Sequence, residues 1–256
     1  MFLGGHMFLK FVAGLACVSG LSGCAGQSGP TFANVTYSNQ TFSEAGVSLN
    51  VSGAANARES NVSVFFNGNG NPAVTIDGAT VALARSGQGL FSNPDGRYVM
   101  GVSNTVTGGA PTPDVDYYVV HDRVTGNRAT IYVDGNKTNP TAIAALPTAT
   151  YSGATQFLTS GFNWSSGQID MLIDFGTGDV SGSLTGFNAN PSAVLTIDPS
   201  KLAGTNVNTT LSSPTLNITQ SKLAGRLYGT AADTVAGTLI VETPSASSIG
   251  LFGALR

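Results

Sequence analysis

The chain has 256 residues, of which only 10% are charged, with a formal net charge of −3, 33 glycines and two cysteines. So sparse and slightly acidic a charge distribution excludes the basic patch that nucleic-acid binding requires. A polarity carried by Ser, Thr and Asn instead of charge is that of a secreted β protein, and the length suffices to bury a core in one or two domains.

The N-terminus reads Met7-Phe8-Leu9-Lys10 and then an apolar run from Phe11 to Gly20, a basic residue followed by a short hydrophobic stretch. That is a signal-peptide layout. A spanning helix needs about 20 apolar residues, and this run is shorter and is broken by Gly14, Gly20 and Gly23. Leu21-Ser22-Gly23-Cys24 resembles the lipobox of bacterial lipoproteins, in which the cysteine thiol is acylated and becomes the mature N-terminus. The expectation is a lipoprotein signal peptide over 1–23, lipidation at Cys24, and a Gly/Ser-rich tether over 24–30. Cys17 would leave with the signal, so the mature chain would hold one cysteine and no internal disulfide. Ala25 follows Cys24 where an Asp would mark inner-membrane retention, and the resemblance therefore implies an outer-membrane lipoprotein at the cell surface or on the periplasmic face.

From Thr31 the pattern is one of short strands and turns. Val62 to Asn67 and Ala73 to Arg85 are strand-like, the second folded at Asp77-Gly78, a dipeptide suited to two consecutive positive φ values. Asp116 to Gly135 repeats the device, with Thr125-Gly126-Asn127 as the turn. These runs predict an N-terminal antiparallel β domain over 31–138. Pro140 and Pro147 enclose too few residues for an independently stable helix, which marks a linker over 139–148. After it come eight strand-like runs: Ala149 to Leu158, Gly161 to Ser165, Gln168 to Phe175, Val180 to Phe187, Ala193 to Asp198, Leu216 to Tyr228, Thr234 to Glu242 and Ile249 to Leu255. Eight strands close a small barrel with a side-chain-filled interior. Side chains alternate along a strand, so Ile169, Met171, Ile173 and Phe175 face that interior while Asp170 and Asp174 face solvent. The fold class expected is all-β: a handle-like N-terminal antiparallel sheet followed by a small eight-stranded antiparallel barrel over 149–256.

Four glycine-rich motifs in the barrel half carry a resemblance. They are Tyr151-Ser152-Gly153; Asp174-Phe175-Gly176-Thr177-Gly178 with Val180-Ser181-Gly182; Gly225-Arg226-Leu227-Tyr228-Gly229 with Ala232 and Val235-Ala236-Gly237-Thr238; and Ile249-Gly250-Leu251-Phe252-Gly253-Ala254. In order and spacing this segment resembles the β-barrel domain of transferrin-binding protein B and related surface lipoproteins. Thr230 and Asp233-Thr234 stand where the family has Pro and Glu. The resemblance implies capture of an iron or haem carrier, with an outer-membrane transporter and a lipoprotein translocon as partners. Room for a single lobe in a chain of this length argues against transferrin itself. Independently of the family, Gly225, Gly229 and Gly237 suit places where a coiled sheet bends or an aromatic ring, Tyr228, packs over a neighbouring strand.

Catalytic groups are scarce. His121 is the one histidine outside the leader, no G-x-S-x-G elbow occurs, and the carboxylate pairs Asp170/Asp174 and Asp114/Asp116 are expected to solubilise a sheet face instead of cleaving glycosides. Tyr117 and His121 share a strand face and are the residues to weigh as ligand contacts, although four residues of strand span roughly 13 Å, too far for both to ligate one metal axially. His121 is otherwise an exposed strand residue, and Trp164 is barrel packing. The sequence thus predicts a non-enzymatic binding protein with no cofactor, acting through loops at a barrel end and the adjoining sheet. The alternative is a structural or adhesive envelope lipoprotein.

Overall fold

The computed structural model describes residues 37–52, 56–123 and 127–256; the leader, Cys24, the tether, and Thr125 and Gly126 of the expected turn lie outside them. The described chain forms two antiparallel sheets. The first contains β1 (Gln40–Asn50), β2 (Ala57–Phe66), β3 (Pro72–Ile76), β4 (Ala79–Ala82), β5 (Ala84–Gly87), β6 (Leu90–Ser92), β7 (Tyr98–Ser103), β8 (Val115–Asp122) and β9 (Arg128–Gly135). Its order is β4-β3-β2-β1-β9-β8-β7-β6-β5, and β4 and β5 are separated only by Leu83. The run from Ala79 to Gly87 is therefore one strand that changes neighbour part-way, and with β1 paired to β9 the sheet curls back on itself. The Asp77-Gly78 turn forms as expected, with φ of 51° and 86°. Its aspartate also accepts from the Asn61 amide at 3.0 Å, which ties the turn to β2.

A connection over 136–148, containing one short 3-10 turn (Pro140–Ala142), leads to the second sheet. Its strands are β10 (Ala149–Thr159), β11 (Asn163–Ile173), β12 (Asp179–Thr185), β13 (Leu195–Lys201), β14 (Asn206–Thr209), β15 (Leu211–Ser212), β16 (Gln220–Tyr228), β17 (Thr234–Thr243) and β18 (Ala246–Leu255). The order β14-β16-β17-β18-β10-β11-β12-β13-β15 repeats the plan of the first. β14 pairs with β16 and β15 with β13, while only Thr210 lies between them, so Asn206 to Ser212 is again one strand that switches partner. Taken as one strand, it brings the barrel to the expected eight, though by a different route. The two runs predicted on either side of Gly167 are the single strand β11, and the run at Asn206 was not foreseen. Only Val207 and Leu211 of that run point inward, too few apolar residues to announce a strand.

Three cores result. Inside the barrel lie Tyr151, Ile169, Met171, Ile173, Leu223 and Phe252, which confirms the inward face of β11. Inside the N-terminal curl lie Phe66, Phe91, Met100, Tyr118 and Tyr132. The third lies between the sheets: Leu49, Tyr117, Ala129 and Ile131 of the first meet Leu158, Ala236, Ile249 and Leu251 of the second. At this waist β8 and β9 are covered on both faces, one by their own curl and the other by the barrel. Their continuous apolar runs, such as Tyr117 to Val120, are the sequence consequence of that double burial.

Candidate functional site

With each partner-switching strand counted as one, sequential strands in each unit run antiparallel, so the connections alternate between two ends of the molecule. Hydrogen bonds show which ends coincide. Gly161 N donates to Val51 O at 2.9 Å and Ala57 N to a Glu242 carboxylate oxygen at 3.2 Å. The turns at 77–78 and 93–97 of the first sheet therefore share an end with the barrel loops at 160–162, 186–194 and 213–219. At the other end Gly229 N donates to Asn136 O at 2.8 Å.

The loops of the first end are held by their own polar side chains. Asn188 Oδ1 accepts from Ser165 Oγ and the Ser166 amide, both at 3.0 Å. Ser213 Oγ donates to Val194 O at 2.6 Å and accepts from the Leu216 amide at 3.1 Å, joining the two longest barrel loops. Phe187 roots one of these loops in the barrel core and Leu216 and Ile218 root the other. Beside the second loop, between it and the ends of β13, β15 and β16, opens a depression of about 590 Å³ lined by Asp198, Thr210, Ser212, Asn217, Thr219 and Ser221. The Asp198 carboxylate accepts from Thr210 and Ser212 hydroxyls, each at 2.6 Å. This surface combines loops tied by their own hydrogen bonds with a wall of hydroxyls and one carboxylate.

The two residues weighed as ligand contacts are both buried at the waist. Tyr117 lies flat on the barrel, where a Cβ placed on Gly253 would fall 1.9 Å from its hydroxyl. That hydroxyl accepts from Thr112 Oγ1 at 3.1 Å, and burial pushes its pKa up. His121 differs from the exposed residue expected: it is 4% exposed, and its ring centroid is 4.3 Å from that of Phe162 in the β10–β11 turn. Its Nε2 donates to Asn127 Oδ1 at 2.5 Å, while Nδ1 is buried with no partner among the described residues. Burial lowers its pKa first, and the nearby Arg123 lowers it further. The signal for this placement was the unbroken apolar run before it, which leaves β8 no solvent face.

The carboxylates are engaged locally. Asp170 accepts from Ser152 Oγ at 2.6 Å, Asp174 caps its own turn through the Gly176 amide at 2.9 Å, Asp114 accepts from Asn136 and Asp116 from Tyr37. Trp164 packs on the waist core from outside the barrel instead of within it. The ring lying over the glycine pair Gly225 and Gly237 is that of Phe252, not Tyr228: Phe252 Cζ is 2.7 Å from where a Gly225 Cβ would be.

No protein-family model and no curated protein matches the sequence. Among solved structures, transferrin-binding protein B of Haemophilus parasuis superposes with a TM-score of 0.54 at 16% identity, covering 82% of this chain and 44% of that one. Intact Ap-TbpB, with its N and C lobes, gives 0.52 at 16% identity over 82% and 45%. The fold is similar to that of transferrin-binding protein B. The isotype 1 transferrin-binding protein B of serogroup B Neisseria meningitidis gives 0.52 at 14% identity over 82% and 43%. This chain thus spans less than half the length of these three transferrin-binding protein B chains. The sequence motifs lay only in the barrel, under half of the chain, so a match over 82% takes in much of the N-terminal curl as well.

Proposed function

We propose that this protein is a lipid-anchored outer-membrane binding protein that captures a protein or small-solute ligand, an iron or haem carrier first among them, through the loops shared by the two units. The observation that carries this reading is the common loop end, where turns from both sheets lie over an apolar waist core. Exposed loops on a rigid scaffold are where recognition residues concentrate. Cys24 would supply the anchor and residues 24–30 the tether. A single acyl chain holds a protein only marginally, so stable retention needs the multiple acylation that a lipobox cysteine receives. An outer-membrane transporter and a lipoprotein translocon are the partners this reading implies. Tyr117 and His121 would act by holding the scaffold beneath the loops, not by touching the ligand.

Two measurements test it. Intact-mass analysis of the protein from its native membrane should find Cys24 as an acylated N-terminus, and protease shaving of whole cells should release the body of the wild type but not of an Ala25→Asp variant. Purified protein passed over haem and transferrin resins, and over native growth medium, should retain a ligand that substitutions in 186–194 or 213–219 abolish. An unmodified Cys24 would remove the anchor; retention indifferent to those loops would remove the proposed site.

A further inference from the structure

At the other end of the waist, a cleft of about 110 Å³ opens between the outer face of β14, β16 and β17 and residues Glu44, Ala45 and Val133 of β1 and β9. Its floor is small and apolar: Ala45, Val133, Ala224 and Ala236. Its rim is polar. Arg226 donates through Nη1 to Glu44 and through Nε to Asn206 Oδ1 at 2.7 Å, while Lys137 Nζ supports Glu44 at 2.5 Å. A guanidinium has five N–H donors, so three of those on Arg226 remain. Asn208, Tyr228 and Thr238 complete the rim, and their side chains make no hydrogen bond to another described residue. For Tyr228, 2% exposed, and Thr238, 4% exposed, the cleft is the one direction in which a hydroxyl finds space.

Uncommitted polar groups converging over an apolar floor at the junction of two units are the usual build of a small-ligand site. Size and charge narrow the ligand. One water occupies roughly 10 to 15 Å³ of such space, so this half-open cleft holds on the order of eight water-sized positions within its walls, a fit for a small polar molecule. The charges at the rim are the adjacent Arg226–Glu44 pair, and Lys137 behind Glu44 is balanced by Asp134 at 3.4 Å, so the cluster carries no net charge. A simple anion would meet Glu44 beside Arg226, and a simple cation the reverse. Only a molecule whose own opposite charges are neighbours satisfies both, and the planar Arg226 fork is suited to a carboxylate. We propose that this cleft binds a small α-amino acid as its zwitterion, with the carboxylate on Arg226, the ammonium on Glu44, and the Tyr228 and Thr238 hydroxyls donating to the carboxylate. It is a second site, independent of the loop face.

The test is isothermal titration of the purified full-length protein with alanine and serine, beside propionate, ethylamine and 4-aminobutyrate, whose charges are single or separated. The expected result is saturable one-to-one binding of the α-amino acids, at least ten-fold weaker or absent for the other three. Tyr228→Phe and Thr238→Val leave the Glu44–Arg226 pair untouched and remove hydroxyls that make no structural hydrogen bond. Each should weaken binding about five-fold or more at an unchanged Tm. No saturable binding of either amino acid, equal binding of propionate, or affinity indifferent to both variants would overturn the proposal.

Discussion

His121 shows how a single side chain reports on its surroundings. Its Nδ1 is buried with no hydrogen-bond donor among the described residues, Phe162 covers the ring, and Asp122 and Arg123 are the adjacent charges. The neutral form is therefore the one the fold accommodates. Above the ordinary pKa of about 6.5 the folded and unfolded chains carry the same proton number at this site, and it adds no pH dependence. Below it, the unfolded chain takes up a proton that the folded chain refuses, so stability falls with pH until the lowered folded-state pKa is reached. The wild-type Tm should drop more between pH 7.5 and 5.5 than that of His121→Gln, which keeps a polar partner for Asn127 but cannot titrate. Parallel Tm curves would mean that the imidazole accepts its proton in the folded state. In the sequence His121 was legible as a strand residue sharing a face with Tyr117, but not as buried, because one strand does not reveal that a second sheet covers it.

At the scale of elements, both sheets close through a strand that changes partner, and where the barrel's switching strand leaves β16 a side chain continues the ladder. Leu211 N donates to Ser221 Oγ at 2.8 Å and Ser221 Oγ donates to Leu211 O at 2.7 Å, so one hydroxyl serves as the rung between β15 and β16. Ser221→Ala leaves both Leu211 backbone groups without that partner. The groups are part-buried beside the open loop depression, where water can take the place of the hydroxyl, so the predicted loss in unfolding free energy is at the low end, about 1 kcal/mol, with amide exchange accelerated at Leu211 and Ser212 and little changed in β17. Exchange that rises uniformly would show the seam to be no weaker than the rest. Much of this architecture could be read in advance: the Asp77-Gly78 hairpin, the alternation of Ile169, Met171 and Ile173, and the eight-strand barrel. The seam could not, because a strand whose halves serve different neighbours carries only half of each apolar pattern. β1 escaped for a related reason. Its outer half, from Gln40 to Ala45, is largely exposed and only its inner half, from Gly46, enters the waist, so no single period runs through it.

The whole molecule poses the question of whether its two units are separable. Ion pairs cross between them: Glu44 with Arg226 and Lys222 with Glu59. The exposed Lys222–Glu59 pair contributes about 0–1 kcal/mol, and one further, half-buried pair is too little to weld two sheets. The waist decides instead, since each fully buried aliphatic side chain contributes about 1.5–3 kcal/mol and several from each side are inaccessible. Because β8 and β9 form part of two cores at once, losing the barrel would expose one face of the strands that hold the N-terminal curl together. Unfolding should therefore be a single cooperative transition. Trp164, the chain's one tryptophan, packs on this core and reports it directly. In guanidinium its fluorescence should change at the same midpoint as the far-ultraviolet circular dichroism of the β structure. Ile131→Ala with Leu251→Ala leaves holes on both sides of the waist, at about 2–5 kcal/mol each, and should separate the two transitions, the fluorescence moving first. Separate midpoints in the wild type would instead mean that each curl stands on its own interior, and that the loop face is assembled from two independently mobile halves.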